Sequence, residues 1–376
     1  MTNREILKNY IKYGGDRFLC SPQIGAGAGF DARLAGKTWL GSATLEDTRS
    51  ACRQFDKVPL YNMGLPDIFA LVEEFSFASA MTETENGKRK NYSTVMTTPA
   101  GVLQQRSIDE EYKGGCPIEY YVKDEEDLDV LEYIFDRLLE IKDFSPITEG
   151  VKKNRQILGE EEAMDIQWAM QPYELFCFPS TADTAILATI CEEQFMRLMD
   201  KVLELDEKLL KAVAAGGSDF VFLGGPGSEM ISPAYYEKFL VPYSRQVTKM
   251  AHDAGLLVYS HICSPIEPML SKGYYNQMGI DLFETLSEAP VGNVKSIEDA
   301  FSKLSPDICT RGNIGLDALL NETPEQIYER SWKILKAARN MGRKHILAAS
   351  DYLFYDCKTE NVHAMCAAVR DFNAGV

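Results

Sequence analysis

The sequence predicts an α/β fold, a (β/α)8 TIM barrel with an irregular mixed α/β N-terminal extension. Three observations carry that expectation. From about residue 163 onward, short apolar runs alternate with longer helical segments. The runs are apolar throughout rather than alternating with polar residues, the pattern of parallel strands buried on both faces. No repeat, low-complexity stretch or Pro/Ser-rich linker divides the 376 residues, so a single domain is expected over 1–376, with residues 1–150 including N-terminal additions.

Taken in order, residues 5–13 read as a short helix and 17–20 as a strand-like run. A turn-rich stretch at Gly25, Gly27 and Gly29 follows, then a helix from near Ala43. It lacks the strand–turn–helix setting of a phosphate loop and reads as a flexible connection. Residues 92–106 and 116–122 alternate, with Thr, Val and Tyr, as β-ribbon, and Pro99 to Gly101 supply a turn. Over 124–142, Leu128, Leu131, Ile134, Leu138 and Ile141 recur at helical spacing. Strand-like runs then fall at 165–170, 219–223, 256–260, 282–286, 307–311 and 345–349. The helices between them centre on 182–215, 233–254, 266–278, 296–304 and 324–341, with a last one at 361–372. Six such units with one or two more upstream fit a closed barrel better than an open sheet.

Composition excludes several classes of function. With 39 basic and 56 acidic side chains the net charge is −17, unsuited to a surface that neutralises phosphate, so no nucleic-acid partner is expected. No apolar run reaches the roughly 18 residues needed to span a membrane. The N-terminus shows no basic region followed by an apolar one, so the nine cysteines are expected as reduced thiols of a cytoplasmic protein. Cys20, Cys52, Cys116, Cys177, Cys191 and Cys366 show no paired spacing. Only four histidines are present, so any site that uses one can be searched completely.

In a barrel, chemistry gathers on the loops after the strands. The run ending at Leu223 is followed by Gly224 and Gly225, which would let a ligand approach the backbone. The next ends in His261 and Cys263, the one after carries Glu284 with Glu288 beyond it, and the next leads to Asn313. The last ends in Ser350 and Asp351, with Cys357 a little further on. Residues i and i+2 at a strand end point the same way, so the His261 imidazole and the Cys263 thiolate could grip one ion. Zinc suits mixed nitrogen and sulfur ligation. A third ligand would come from Asp351, Cys357, Glu284 or Cys309. His252, His345 and His363 lack nearby ligand partners and read as structural or exposed.

Several segments resemble the uroporphyrinogen decarboxylase superfamily: Ile231 to Glu237, Val241 to Tyr243, His261, Gly312 to Ile314, and Glu360 to Val362. The similarity is good over 219–372 and loose before it. It implies a (β/α)8 barrel on which two chemistries run. True decarboxylases act without a cofactor on a highly carboxylated tetrapyrrole, whereas corrinoid-dependent methyltransferase relatives bind zinc through a His-x-Cys pair and a later cysteine. The decarboxylases' Arg-Gln-Ala-Gly-Arg segment has no counterpart here, where Pro22 to Gly27 stand instead. An acidic chain without those arginines is poorly suited to an octacarboxylate. His261 and Cys263 are similar to the methyltransferases' zinc pair, and the segments Thr98 to Gly101 and Cys116 to Ile118 are similar to the O-demethylase branch. The later cysteine of that branch aligns with Asp351, and Cys357 lies nearby.

The resemblance therefore implies a methyltransferase that moves a methyl group between a small O-, N- or S-methyl compound and a corrinoid (cobalamin) on a separate corrinoid-binding protein. Zinc would sit on His261, Cys263 and Cys357. Glu284 and Asp351 would be catalytic carboxylates, orienting His261 or supplying a proton, and Gly224, Gly225 and Asn313 would line the cofactor's approach. Two alternatives are a cofactor-independent decarboxylase, in which Asp351 or Glu284 stabilises a cationic intermediate, and a non-catalytic ligand-binding barrel.

Overall fold

Eight parallel strands form the barrel: β1 (Leu19–Cys20), β2 (Leu60–Gly64) and, from the regular half of the chain, six more. Between them β3 (Ser76–Glu83), β4 (Arg89–Thr98), β5 (Gly101–Glu110) and β6 (Gly114–Glu119) make a separate antiparallel sheet. The six are β7 (Ala163–Gln167), β8 (Phe220–Leu223), β9 (Leu257–His261), β10 (Leu282–Thr285), β11 (Cys309–Ile314) and β12 (His345–Ala349). Around the barrel the order runs β1-β12-β11-β10-β9-β8-β7-β2, parallel throughout. The chain is thus a (β/α)8 barrel with an added antiparallel sheet. The computed structural model describes residues 1–84, 86–168 and 170–375.

Every residue of β10, β11 and β12 is buried, Glu284, Arg311 and Asn313 among them, as in strands covered on both faces. Boundaries moved where a turn intervened. The helix expected over 182–215 is interrupted at Cys191 into Thr181–Ile190 and Glu192–Ala215, and that over 266–278 is a short helix, Glu267–Ser271, followed by a separate turn. The run at 307–311 becomes β11, which starts at Cys309 and extends far enough to carry Asn313. The β4–β5 hairpin turns at Pro99 and Ala100, as expected. Its outer neighbour β3 was not legible, because all eight of its residues are exposed and no buried face imposes a period. The helix Ser145–Leu158 and β2 also escaped the sequence reading.

One end of the barrel is closed. The helix Asn3–Tyr13 begins at Thr2 with a reciprocal cap to Glu5, and its Leu7, Tyr10 and Ile11 pack on the first residues of the strands: Leu60, Ala163, Phe220, Leu257, Leu282 and Cys309. Beside it the buried Asp219 carboxylate accepts from Arg155 at 2.7 Å, Arg4 at 2.8 Å and Lys8 at 2.9 Å. A carboxylate without exposed surface needs such partners. With this end plugged, access lies at the carboxyl ends of the strands. Among the described residues no helix is long and apolar enough to cross a membrane.

Candidate metal centre

The register of three adjacent strands sets the site. Glu284 on β10 pairs with His261 on β9 and with Arg311 on β11, so an imidazole, a carboxylate and a guanidinium stand in one row. His261 Nδ1 lies 3.1 Å from Glu284 Oε2, and its Nε2 lies 3.1 Å from Asp351 Oδ1. Glu284 is fully buried and ion-pairs with Arg311, itself 2% exposed. Arg311 also reaches Ser21 Oγ at 3.3 Å, and Ser21 donates to Asp56 at 2.9 Å, across the seam between the segments flanking β1 and β2.

Cys263 extends the row outward. One ligand atom each from His261, Cys263 and Asp351 lies within 4.8 Å of the others. The Asp351 carboxylate is fixed by the following backbone, where Tyr352 N–H donates to Oδ1 at 2.6 Å. The Tyr352 ring stands 5.5 Å from that of His261, and its hydroxyl donates to Asn62 at 3.1 Å. Burial alone would lower the His261 pKa, but Asp351, Cys263 and Glu284 together outweigh it and hold the imidazole well above its ordinary value. Asp351 shows the converse: burial raises it, but its contacts with His261 first and then with the Tyr352 N–H bring it below the usual carboxylate range. A field that draws a proton to this point also favours a cation there.

The third ligand implied by the resemblance needs correction. Cys357 is not brought to the cluster; Asp351 occupies that place. After Asp351 the chain turns inward. Leu353 N–H donates to Gln23 O at 2.9 Å, Phe354 bridges to Gly29, and Arg33 donates to Cys357 O at 2.6 Å. Cys357 therefore packs in the core with no exposed surface, and burial pushes its thiol up to about 11. Cys309 lies in the apolar cluster at the closed end and is pushed up to about 12 by burial. His252 pairs with Asp281 at 2.8 Å, a partner the sequence did not suggest, His345 is buried against Thr310, and the His363 ring lies tilted against Phe55.

Gly224 and Gly225, the glycines after β8, lie beside Glu174 and Tyr236. A Cβ at Gly224 would stand 3.1 Å from both carboxylate oxygens of Glu174, and Gly225 has φ +156° beside the Tyr236 hydroxyl. Glu174 precedes three non-glycine residues in the left-handed region, Leu175, Phe176 and Cys177, at φ 45°, 58° and 57°. Burial pushes its carboxyl up to about 7. Sequence reasoning missed Glu174, because nothing in that segment announces such a turn. It also missed a buried group inside the barrel, where Tyr259 donates to Asp165 at 2.6 Å and accepts from Gln167 at 2.8 Å and Asn62 at 3.1 Å. Burial raises Asp165 to about 7. Asn313 faces away from the cluster, donating to Leu286 O at 3.1 Å and Glu288 at 3.4 Å.

The uroporphyrinogen decarboxylase (URO-D) family model matches residues 94–372. The chain belongs to the uroporphyrinogen decarboxylase family. In fold, this uroporphyrinogen decarboxylase family member is similar to a methyltransferase from Methanosarcina mazei, with a TM-score of 0.65 and 14% identity over 99% of each chain. It is also similar to a B12-independent methionine synthase from Shewanella sp. W3-18-1 in complex with selenomethionine. There the TM-score is 0.46 and the identity 13%, covering 92% of this chain and 86% of that one. No curated protein matches the chain. The family match spans β7 to β12 and so includes every residue of the His261 cluster.

Proposed function

We propose that this uroporphyrinogen decarboxylase family barrel is an enzyme that transfers a methyl group between a small methylated compound and a corrinoid carried by a partner protein. Its metal would be zinc on His261, Cys263 and Asp351. The observation that carries the reading is the cluster itself, with nitrogen, sulfur and oxygen donors within 4.8 Å at the carboxyl ends of β9 and β12. The donor set fits zinc, which accepts all three ligand types and in catalytic sites keeps a position open beyond three protein ligands. When bound, zinc would supply Lewis acidity to the methyl-bearing heteroatom or activate a thiol acceptor.

The chain's own residues prepare that position. Glu284 holds the Nδ1 side of His261, which directs Nε2 toward Cys263 and Asp351. Arg311 is the counter-ion that makes a buried Glu284 tolerable. The Tyr352 N–H fixes one oxygen of Asp351, and its ring shields His261 from one side. Cys263 is exposed, so the open side of the cluster faces the barrel mouth, where a substrate and a corrinoid could meet. A set with one thiolate rather than two donates less charge to the ion, which favours an O- or N-methyl donor over capture of a thiol. With free thiols throughout, the chain suits the reducing cytoplasm.

The test is metal analysis of purified wild type, His261→Ala and Cys263→Ala. About one zinc per chain is expected in the wild type and little in either variant. A metal-free wild type, or zinc retained in both variants, would sink the reading. Cofactor-free decarboxylation would instead leave activity indifferent to chelator.

A further inference from the structure

A recess of about 340 Å³ lies between the loops after β10 and β11 and the helices Ile297–Lys303 and Pro324–Asn340. None of His261, Cys263 or Asp351 lines it, although Ser350 does. Asn313 belongs to its wall and is 7% exposed; its Oδ1 has no partner among the described residues. An orphaned buried carboxamide oxygen is uncommon and calls for a donor.

Charges of both signs stand at the rim of the recess, where Asp317, Glu298 and Lys333 are exposed. The side chains of Asp317, Glu298 and Lys333 make no ion pair or hydrogen bond among the described residues, although all three line the same space. Arg330, the other cation, is engaged by Glu322 at 2.8 and 2.9 Å. Glu288 is held by Asn313, and its carboxyl is raised mainly by burial. Between these groups the wall is aliphatic, with Ile297, Leu316 and Ile334 all buried. A simple anion would meet three carboxylates here, and a simple cation would meet Lys333. A molecule that carries both charges satisfies both sides. The volume is near the lower end of ligand cavities, roughly 300–1,000 Å³, so the occupant is small.

We propose that this recess binds a small zwitterion of the amino-acid type, with its ammonium toward Asp317 and Glu288, its carboxylate toward Lys333 and an aliphatic portion on the isoleucine wall. The site goes beyond the methyl-transfer reading and stands whether or not metal binds. It adjoins the loop that presents Asp351: Ser350 N–H donates to Ile314 O at 2.7 Å, and Ser287 Oγ donates to Ser350 O at 3.3 Å. Occupancy would therefore brace the segment that supplies the third ligand.

Isothermal titration of the full chain with the common L-amino acids and glycine betaine tests the proposal. At least one probe should bind saturably at one site, and Lys333→Ala and Asp317→Asn should each weaken it about tenfold or more. The amine and the carboxylic acid of the same skeleton, each with one charge, should bind at least about tenfold more weakly than the zwitterion. Lys333→Arg should retain binding, which separates lost charge from lost fold. Zinc content should be unchanged in all of these variants, so failure here is distinguishable from failure of the metal site. The proposal is overturned if no probe binds saturably, if the variants bind as the wild type does, or if a single-charge analogue binds equally well.

Discussion

His261 Nδ1 lies 3.1 Å from Oε2 of Glu284, a carboxylate with no exposed surface whose counter-ion is Arg311. Removing that carboxylate has two separable consequences. Glu284→Gln should weaken zinc binding about 10- to 100-fold, as loss of a hydrogen-bond partner to a metal-bound histidine commonly does. It should also destabilise the fold by about 3–5 kcal/mol, because Arg311 is left buried without its partner. Chelator competition reads the first effect and denaturant unfolding the second. Glu284→Gln combined with Arg311→Met should recover stability without recovering metal affinity. Recovery of both would assign Glu284 a structural role alone.

The identity of the third ligand is open to a paired substitution. Asp351→Ala should lower zinc affinity by at least about tenfold, while Asp351→Cys, which restores a thiolate, should retain the metal. Cys357→Ala should leave zinc content unchanged and cost about 1 kcal/mol of stability from the space left in the core. Loss of zinc in Cys357→Ala with retention in Asp351→Ala would reverse the assignment.

Asp165 makes the stability of the barrel depend on pH. Its carboxyl titrates near 7 in the folded state because burial disfavours the charge, against about 3.9 in an unfolded chain. The folded state therefore holds the proton more tightly, and stability falls as pH rises from about 4 to about 7. Full ionisation costs about 4 kcal/mol at roughly 1.4 kcal/mol per pKa unit. Asp56, raised to about 6 by burial, adds a smaller loss of the same sign over a narrower range. Asp165→Asn should flatten the fall and raise the thermal midpoint at pH 8 relative to wild type. An unchanged pH profile would show that Asp165 carries no raised pKa.

The parts of this molecule that could be read from sequence are those where burial is imposed by the nearest neighbours in the chain. β7 to β12 were legible because a strand covered on both faces is mostly apolar, and the His261 and Cys263 pair because positions i and i+2 share a face. β3 has no buried face and left no pattern. Arg311 was unremarkable in sequence, since its contact with Glu284 depends on the register between β10 and β11. Cys357 was misjudged for a related reason. Its distance from His261 is decided by contacts with Gln23, Gly29 and Arg33, hundreds of residues away along the chain.

The candidate metal cluster and the Asp219 ion network lie at opposite ends of the barrel, and Asp219 tests that separation. Its carboxylate is shared by Arg155, Arg4 and Lys8 beneath the plug helix Asn3–Tyr13, while the His261 cluster sits at the other ends of the same strands. Asp219→Ala would leave Arg155, which is 5% exposed, buried without its carboxylate, a loss of about 3–5 kcal/mol in denaturant unfolding. Zinc stoichiometry below the unfolding transition should not change, because none of the cluster's hydrogen bonds passes through Asp219. Arg155→Met in the Asp219→Leu background should regain much of the stability by replacing a charged pair with packed apolar groups. Zinc lost from folded Asp219→Ala would mean that the plug helix sets the geometry of the distant strand ends, and that the two ends of the barrel are coupled.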